Sequence, residues 1–337
     1  MTTIDRAQTY IGRGWAVLPI PHGAKRPTIE GWQNLRITAT DAPRYFFENG
    51  APQNIGVLLG EPSNSLTDLD MDWREVVQLA RHFCPETLIF GRASNASSHA
   101  LVRCVGAVTK KFSLPEENGG MVLELRSTGC QTVMPGSTHP SGEAIEFEND
   151  AEIVEIPRDK LEARCAQWAS AAVLLRFWTK GHRDELATTL AALLLRAGWK
   201  AEHVDRYVEY IATTAGDDNV RDRLKAHAVE KAITKNAKTF GHKKFGEILG
   251  ATVAEKLAEW LKLRREAPEA EAFVPQTVTA AQLQVKNLPA IRYVIPKLLP
   301  EGLALFVGSP KQKKSLTSIH VALALCYGGK VFGGAQV

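Results

Sequence analysis

Three short stretches of this 337-residue chain carry polar residues two positions apart among apolar neighbours. They are Asp70 and Asp72 around Met71, Ser97 and His99 around Ser98, and Glu124 and Arg126 around Leu125. On a β-strand, residues i and i+2 project from the same face, so each pair is a candidate for joint work in one cleft. The first and third pairs sit in runs apolar enough to be buried strands, where a carboxylate is costly without a cationic partner. For Asp70, Asp72 and Glu124 the natural partner is a pair of Mg2+ or Mn2+ ions, which take oxygen ligands and keep some waters. Two such ions close together activate an attacking hydroxyl and stabilise a departing pyrophosphate. His99 and Arg126 then supply positive charge to a triphosphate. Taken singly, each pair has a plain structural reading: a common strand motif, a satisfied histidine, a salt bridge on a strand face. Their combination in this order points to chemistry.

The elements that must position them lie between residues 1 and 158. Short apolar runs alternate there with Gly, Pro, Asn and Ser clusters. Strands are expected at Ala16–Pro19, Ile55–Leu59, Leu66–Met71, Ala100–Cys104, Val122–Leu125, Thr132–Met134 and Ala144–Phe147, and helices at Ile4–Gly12 and Trp73–Phe83. The pattern predicts an α/β or α+β domain rather than a regular βαβ repeat.

From 160 to 264 the apolar residues recur at helical spacing, which predicts a small all-α domain. Leu186, Leu190, Leu193, Leu194 and Ala197 form one stripe, ended by Gly198. Val204, Tyr207, Val208 and Ile211 form a second; Leu224, Val229, Ala232 and Ile233 a third; Leu257, Trp260 and Leu261 a fourth. Residues 221–244 hold Arg221, Arg223, Lys225, Lys231, Lys235, Lys238, Lys243 and Lys244 against Asp222 and Glu230. This is either a face that follows a phosphate backbone or a solvated helix surface. Residues 265–285 read as a linker, opening on an acidic, Ala/Pro-rich stretch.

Residues 7–150 resemble the bifunctional primase–polymerase (prim-pol) domain of the archaeo-eukaryotic primase superfamily, found in phages, plasmids and integrated elements. The resemblance runs through Gly12-Arg13-Gly14-Trp15-Ala16-Val17-Leu18-Pro19, Lys25-Arg26-Pro27, Gly31-Trp32, Asn54-Ile55-Gly56-Val57 and Gly60. It continues through Leu66 to Asp72, Gly91-Arg92, Ser97-Ser98-His99, Leu123-Glu124-Leu125-Arg126, Pro135-Gly136-Ser137-Thr138-His139 and Gly142. It implies that Asp70, Asp72 and Glu124 are metal ligands, Glu124 standing where many members have Asp. It implies that Ser97 and His99 meet the phosphates of the incoming nucleotide, and that Arg126, Lys25, Ser137 and His139 contact nucleotide or template. Asp68 makes a second, overlapping Asp-x-Asp; Asp70/Asp72 is the chosen register because the chain leaves the strand from Trp73 onward. The helical region, opening at Gly181-His182-Arg183-Asp184-Glu185-Leu186, resembles the helical domain that commonly follows such cores, with an implied part in template binding and primer initiation.

The last segment, 286–337, resembles the start of a RecA-like helicase ATPase. Leu303–Val307 reads as a buried strand, and Gly308-Ser309-Pro310-Lys311-Gln312-Lys313-Lys314-Ser315 opens the amphipathic helix Leu316–Cys326. Phosphate-cradling loops sit in this setting. Lys314 and Ser315 match the phosphate-binding Lys and the Mg2+-binding hydroxyl. Lys313 replaces the expected Gly, and its side chain crowds the backbone's approach to phosphate. No ATP hydrolysis is expected from this segment, which reads as a degenerate, truncated P-loop.

Net charge is +4, with 45% hydrophobic and 23% charged residues, ordinary for a soluble globular chain. The five cysteines contain no CxxC pair, which argues against a disulfide framework or a cysteine-pair zinc site. No run reaches the ~20 apolar residues that cross a bilayer. The expectation is therefore a cytoplasmic α+β primase–polymerase core, two-lobed with mixed sheets, followed by a small all-α domain and an incomplete α/β P-loop segment. Its expected partners are a single-stranded DNA template, nucleoside triphosphates and a replicative helicase. The competing readings are a two-metal nuclease and a non-catalytic single-strand-binding module.

Overall fold

Alternating apolar and polar residues over the first 150 positions produce two antiparallel sheets. The computed structural model describes residues 2–46, 53–237, 239–263, 292–295, 299–300, 314–327, 329–331 and 335–336. The chain begins with α1 (Thr3–Gly12), whose N-terminus is closed by a capping box between Thr2 and Asp5. Next come β1 (Val17–Pro21), the single turn α2 (Ala42–Tyr45), β2 (Gln53–Leu58), β3 (Leu66–Asp70) and α3 (Arg74–Phe83). They are followed by β4 (Leu88–Arg92), β5 (Asn95–Arg103), β6 (Lys110–Ser113), β7 (Met121–Arg126), β8 (Gln131–Val133) and β9 (Ile145–Phe147). The small sheet runs β1-β2-β8; the large one runs β6-β7-β3-β5-β4-β9. All the strands expected between residues 1 and 158 are present within a few residues; β4 and β6 are additional.

The helices that follow are α4 (Arg158–Phe177), α5 (Arg183–Arg196), α6 (Ala201–Thr214), α7 (Val220–Arg223), α8 (Ala226–Thr234), α9 (His242–Leu249) and α10 (Ala251–Trp260). Gly198, just past α5, has φ +93°, the left-handed conformation that ends a helix at low cost when no Cβ is present. Residues 1–268 form one compact unit, and the compositional change near 158–160 falls at the first turn of α4, inside it.

One face of the large sheet lies in a continuous core with these helices. Leu69 and Met71, Ala100 and Val102 of β5, and Leu123 and Leu125 of β7 share it with Trp168, Leu161 and Val173 of α4 and with Leu190 and Leu194 of α5. Trp168 is fully buried, and its indole N–H donates to the Val76 carbonyl of α3 at 2.9 Å. Each such large apolar side chain contributes roughly 1.5–3 kcal/mol on burial. The opposite face is apolar only at its far end, where Leu66, Leu88, Leu101 and Phe90 join Trp15, Ile55 and Val57.

Part of the basic run at 221–244 is neutralised within the fold. Arg223 pairs with Asp217 at 3.0 Å and Asp184 at 3.1 Å, Lys225 with Asp184 at 2.5 Å, and Lys244 with Glu185 at 2.5 Å. Lys238 lies outside the described residues.

Residues 269–337 form a second unit. Its described parts are the strand pair Tyr293–Ile295 with Leu299–Pro300, the helix Lys314–Tyr327, and the pair Lys330–Val331 with Ala335–Gln336. Ile295, Val321, Ala324 and Val331 are buried together, while Leu316, Ile319, Leu323, Leu325 and Tyr327 are exposed. The expected linker at 265–285, the strand Leu303–Val307, and Gly308 and Lys313 lie outside the described residues; Lys314 and Ser315 open the helix. Among the described residues no helix is long and apolar enough to cross a membrane.

Candidate active site

Strand pairing sets the site. Asp70, the last residue of β3, lies opposite His99 of β5 on one side and Glu124 of β7 on the other. The row extends outward to Lys111 of β6 opposite Glu124, and to Phe90 of β4 opposite His99. Two residues back along β3, Asp68 stands opposite Arg126. Side chains directly opposite in antiparallel strands share a face, so the sheet itself brings Glu124, Asp70, His99, Asp68 and Arg126 together.

Asp72 lies just past β3, and its exposed side chain reaches the cleft from there. The turn is held on both sides: the Met71 N–H donates to the Ser98 carbonyl at 2.8 Å and the Trp73 N–H to the Val122 carbonyl at 3.3 Å. Trp73 is pinned in turn by its indole N–H to the Gly119 carbonyl, at 3.0 Å, and by the Arg176 guanidinium 3.2 Å from its ring centroid.

Asp70, Asp72, His99, Glu124 and Arg126 line a cleft of about 470 Å³. The rest of the lining comes from Lys25 and Arg26 after β1, Gln131, Thr132 and Val133 of β8, Arg92 of β4, and Thr138, His139 and Pro140. The carboxylates therefore share the cleft with the positive charges of Lys25, Arg26 and Arg92, the last paired with Glu143 at 3.3 Å.

Charge governs the carboxylates. Asp68 is fully buried; burial alone would raise its carboxyl, but the charge and hydrogen bond of His99, together with Arg126 and Thr132, hold it below the ordinary value. Both its oxygens are 3.2 Å from His99 Nδ1, and Arg126 Nη1 is 3.5 Å away. For His99, burial opposes the imidazolium, but Asp68 and Asp70 outweigh it and the pKa rises. Phe90 stacks flat on the imidazole, with ring centroids 4.6 Å apart. Arg126 reaches three carboxylates: Nη1 is 3.2 Å from Asp70 and 3.5 Å from Asp68, and Nε is 3.8 Å from Glu124. Its Nη2 also donates to the Gln131 carbonyl. Among the described residues Asp72 makes no such ion pair. Desolvation by the cleft walls, then repulsion from Asp70 and Glu124, pushes its carboxyl up to about 7.

The cleft also contains polar atoms left without partners. Among the described residues, five buried side-chain polar atoms make no hydrogen bond, and three of them belong to the cleft lining: Ser98 Oγ, Gln131 Oε1 and His139 Nε2. Buried polar atoms are nearly always satisfied in folded proteins, so three together mark a place made for a ligand. His139 is held through Nδ1 by Ser141 Oγ at 2.8 Å, and burial, Arg92 and Lys25 depress its pKa. Residues 7–159 match the family model described as "Bifunctional DNA primase/polymerase, N-terminal". The match encloses every residue that lines the cleft, and this segment is similar to that family. A search of curated proteins with the whole sequence found no match.

The cleft suits divalent metal by the chemistry of its donors: three carboxylates gather in its lining, and their repulsion is felt at Asp72. As the side chains stand, no three His, Cys, Asp or Glu groups among the described residues form a ready metal cage. Arg126 lies against Asp70 and Glu124 instead.

Of the residues singled out from the sequence, Asp70, Asp72, Glu124, His99, Arg126, Lys25 and His139 all line this cleft. Ser97 and Ser137 do not. The β4–β5 pairing slips between Phe90 and Arg92, and Ser97 takes a left-handed φ of +54°. The strict i, i+2 relation is lost there, so Ser98 lines the cleft beside His99. Ser97 is held by Glu148 through both its N–H and its hydroxyl. A Cβ on Gly91 would come 2.7 Å from the Asn95 carbonyl and 2.8 Å from the Ser97 nitrogen, so the slipped hairpin requires glycine there. Ser137 is buried, and its Oγ accepts the Ile55 N–H at 2.9 Å, tying the loop after β8 to β2. Arg26, Arg92, Ser98 and Gln131 were not assigned a role from the sequence. Arg26 and Arg92 appear in the sequence only inside blocks of the family resemblance, Lys25-Arg26-Pro27 and Gly91-Arg92, without a period to say which way they point.

Proposed function

We propose that this chain is a template-directed DNA primase–polymerase that joins nucleotides in the cleft lined by Asp70, Asp72 and Glu124 together with Lys25, Arg26, Arg92 and His139. The observation that carries the reading is the row Glu124–Asp70–His99 across three paired strands, in one cleft with Lys25, Arg26 and Arg92, inside the segment that matches the primase/polymerase family.

Asp70, Asp72 and Glu124 would hold Mg2+ or Mn2+, which when bound supplies the Lewis acidity that nucleotidyl transfer needs. The chain's own residues do the remaining work. Lys25, Arg26 and Arg92 attract the triphosphate and fix its direction in the cleft. His99, held edge-on by Asp68 and flat by Phe90, presents a positively biased ring beside the reacting end. The unpartnered Ser98 Oγ, Gln131 Oε1 and His139 Nε2 offer hydrogen bonds that a bound nucleotide would complete.

The test is extension of a labelled primer on a single-stranded template with dNTPs and Mg2+ or Mn2+. Extension that Asp70→Ala abolishes, with the fold intact, is the expected result. Shortening of the primer without extension would make the cleft a two-metal nuclease. Binding of the strand with no chemistry would make the chain a non-catalytic module.

A further inference from the structure

Arg126 is an unusual neighbour for residues that would have to bind a cation. Its side chain is largely buried, at 18% exposure, and its guanidinium is spread over Asp70, Asp68 and Glu124 at 3.2, 3.5 and 3.8 Å. Two of these three are carboxylates assigned above to metal. The third, Asp68, is fully buried, does not line the cleft, and is also held by His99. A buried guanidinium needs carboxylate neighbours, and buried carboxylates need a cation. In this arrangement each supplies the other.

We propose that Arg126 is a built-in placeholder cation: it occupies Asp70 and Glu124 when no divalent metal is bound, and it competes with the metal for them. This rests on the assignment of Asp70 and Glu124 as metal ligands. Three observations carry it. The three carboxylates do not form a ready cage among the described residues, and the group between two of them is Arg126. The guanidinium has other anchors that ask nothing of the metal ligands, since Nη1 faces Asp68 and Nη2 donates to the Gln131 carbonyl. A path therefore exists for Arg126 to release Asp70 and Glu124 without being stranded as a bare buried charge. Asp72, whose exposed side chain lines the same cleft, makes no ion pair with Arg126 among the described residues. The placeholder thus leaves one site open for an arriving cation.

The idea separates from a simple field effect through Lys111. That lysine also approaches Glu124, at 3.8 Å, but from the outer edge of the sheet and with 62% of its side chain exposed. Lys111→Gln removes the same unit of charge from the same carboxylate without vacating the space between Asp70 and Glu124.

The experiment is a Mn2+ titration of the nucleotide-free protein, read by calorimetry and by the loss of free-Mn2+ paramagnetic signal. Wild-type protein must first bind Mn2+; if it does not, it is the metal assignment that fails. With binding established, Arg126→Gln should bind Mn2+ about tenfold more tightly, and Lys111→Gln should change the affinity by less than about twofold. Equal tightening by both variants would reduce the effect to net charge and overturn the proposal. Unchanged or weaker binding by Arg126→Gln would also overturn it, since Arg126 would then be organising the ligands rather than competing for them. If Arg126→Gln does not fold, wild-type protein gives the answer through the Arg126 Nε–H resonance. Its protection from exchange should fall on adding Mg2+, and protection that does not change refutes the placeholder.

Discussion

On β3, Leu69 disappears beneath the helices, while Asp68 and Asp70, one residue to either side, face the other way into charge. The same division runs through β5, where Ala100 and Val102 enter the helical core and His99 enters the cleft, and through β7, where Leu123 and Leu125 part from Glu124 and Arg126. Two surfaces made by the same strands are thus held by different physics. The helix-side face is stabilised by burial and tolerates no holes. The cleft face is a mesh of ion pairs around carboxylates whose repulsion works against the fold. Binding capacity on one side is offset by packing on the other.

Substitutions can break this division or sharpen it. The largest effect should come from Asp70→Ala, which leaves no measurable primer extension; Arg126 keeps Asp68 and Glu124 as partners, so unfolding free energy should change by only about 1–3 kcal/mol. Leu123→Ala, on the opposite face of the neighbouring strand, should do the reverse. Removing a fully buried leucine costs about 2–5 kcal/mol in urea unfolding, with the KM for nucleotide unchanged in protein that remains folded. Arg176→Ala should be smaller. It removes the guanidinium over Trp73 and its paired contacts to Glu75 at 2.9 and 3.1 Å, costing about 1–2 kcal/mol by the same measurement. An effect of Arg176→Ala on nucleotide KM larger than its effect on stability would show that the two faces are not separable.

The smallest and most telling change is Asp72→Asn. In the unfolded chain this carboxyl ionises near its ordinary 3.8, but in the fold only near 7. Between those values the folded state holds a proton that the unfolded state has lost, so stability falls as pH rises through that window and is flat above it. Asp72→Asn should therefore raise the melting temperature of metal-free protein slightly. The gain should be greatest above about pH 7 and absent below about pH 4. A loss of stability at high pH would mean that Asp72 is paired in solution rather than repelled.

Much of this division was legible in the sequence, because period-2 alternation sorts residues onto faces without reference to any partner. Asp70, Glu124 and Arg126 were read that way, and so were most of the strands. Other features resist such reading for physical reasons. α4 shows no stripe because it is buried on every side from Trp168 to Leu174, so its pattern there has no polar face to mark a period. β6 is a four-residue edge strand that begins with two exposed lysines. Ser97 was placed by alternation, and a slipped hairpin exchanged it for Ser98. Asp68 looked like a competing register of the Asp-x-Asp motif; only its burial beside His99 and Arg126 separates it from the cleft lining. The basic lining comes from the loop after β1 and from the end of β4, so its convergence is a property of the tertiary fold alone.

The core shared by the sheet and the helices bears on how the protein can be handled. A fragment ending at residue 159 keeps the whole family match and every cleft residue, yet retains only the first two residues of α4. It would present Leu69, Leu123, Leu125 and Phe112 to water as one sticky surface. Such a fragment should accumulate as insoluble aggregate on expression, whereas one ending at 263 should stay in solution. The smallest piece that can be purified is then set by where the apolar side of the sheet is covered, well beyond the end of the motifs.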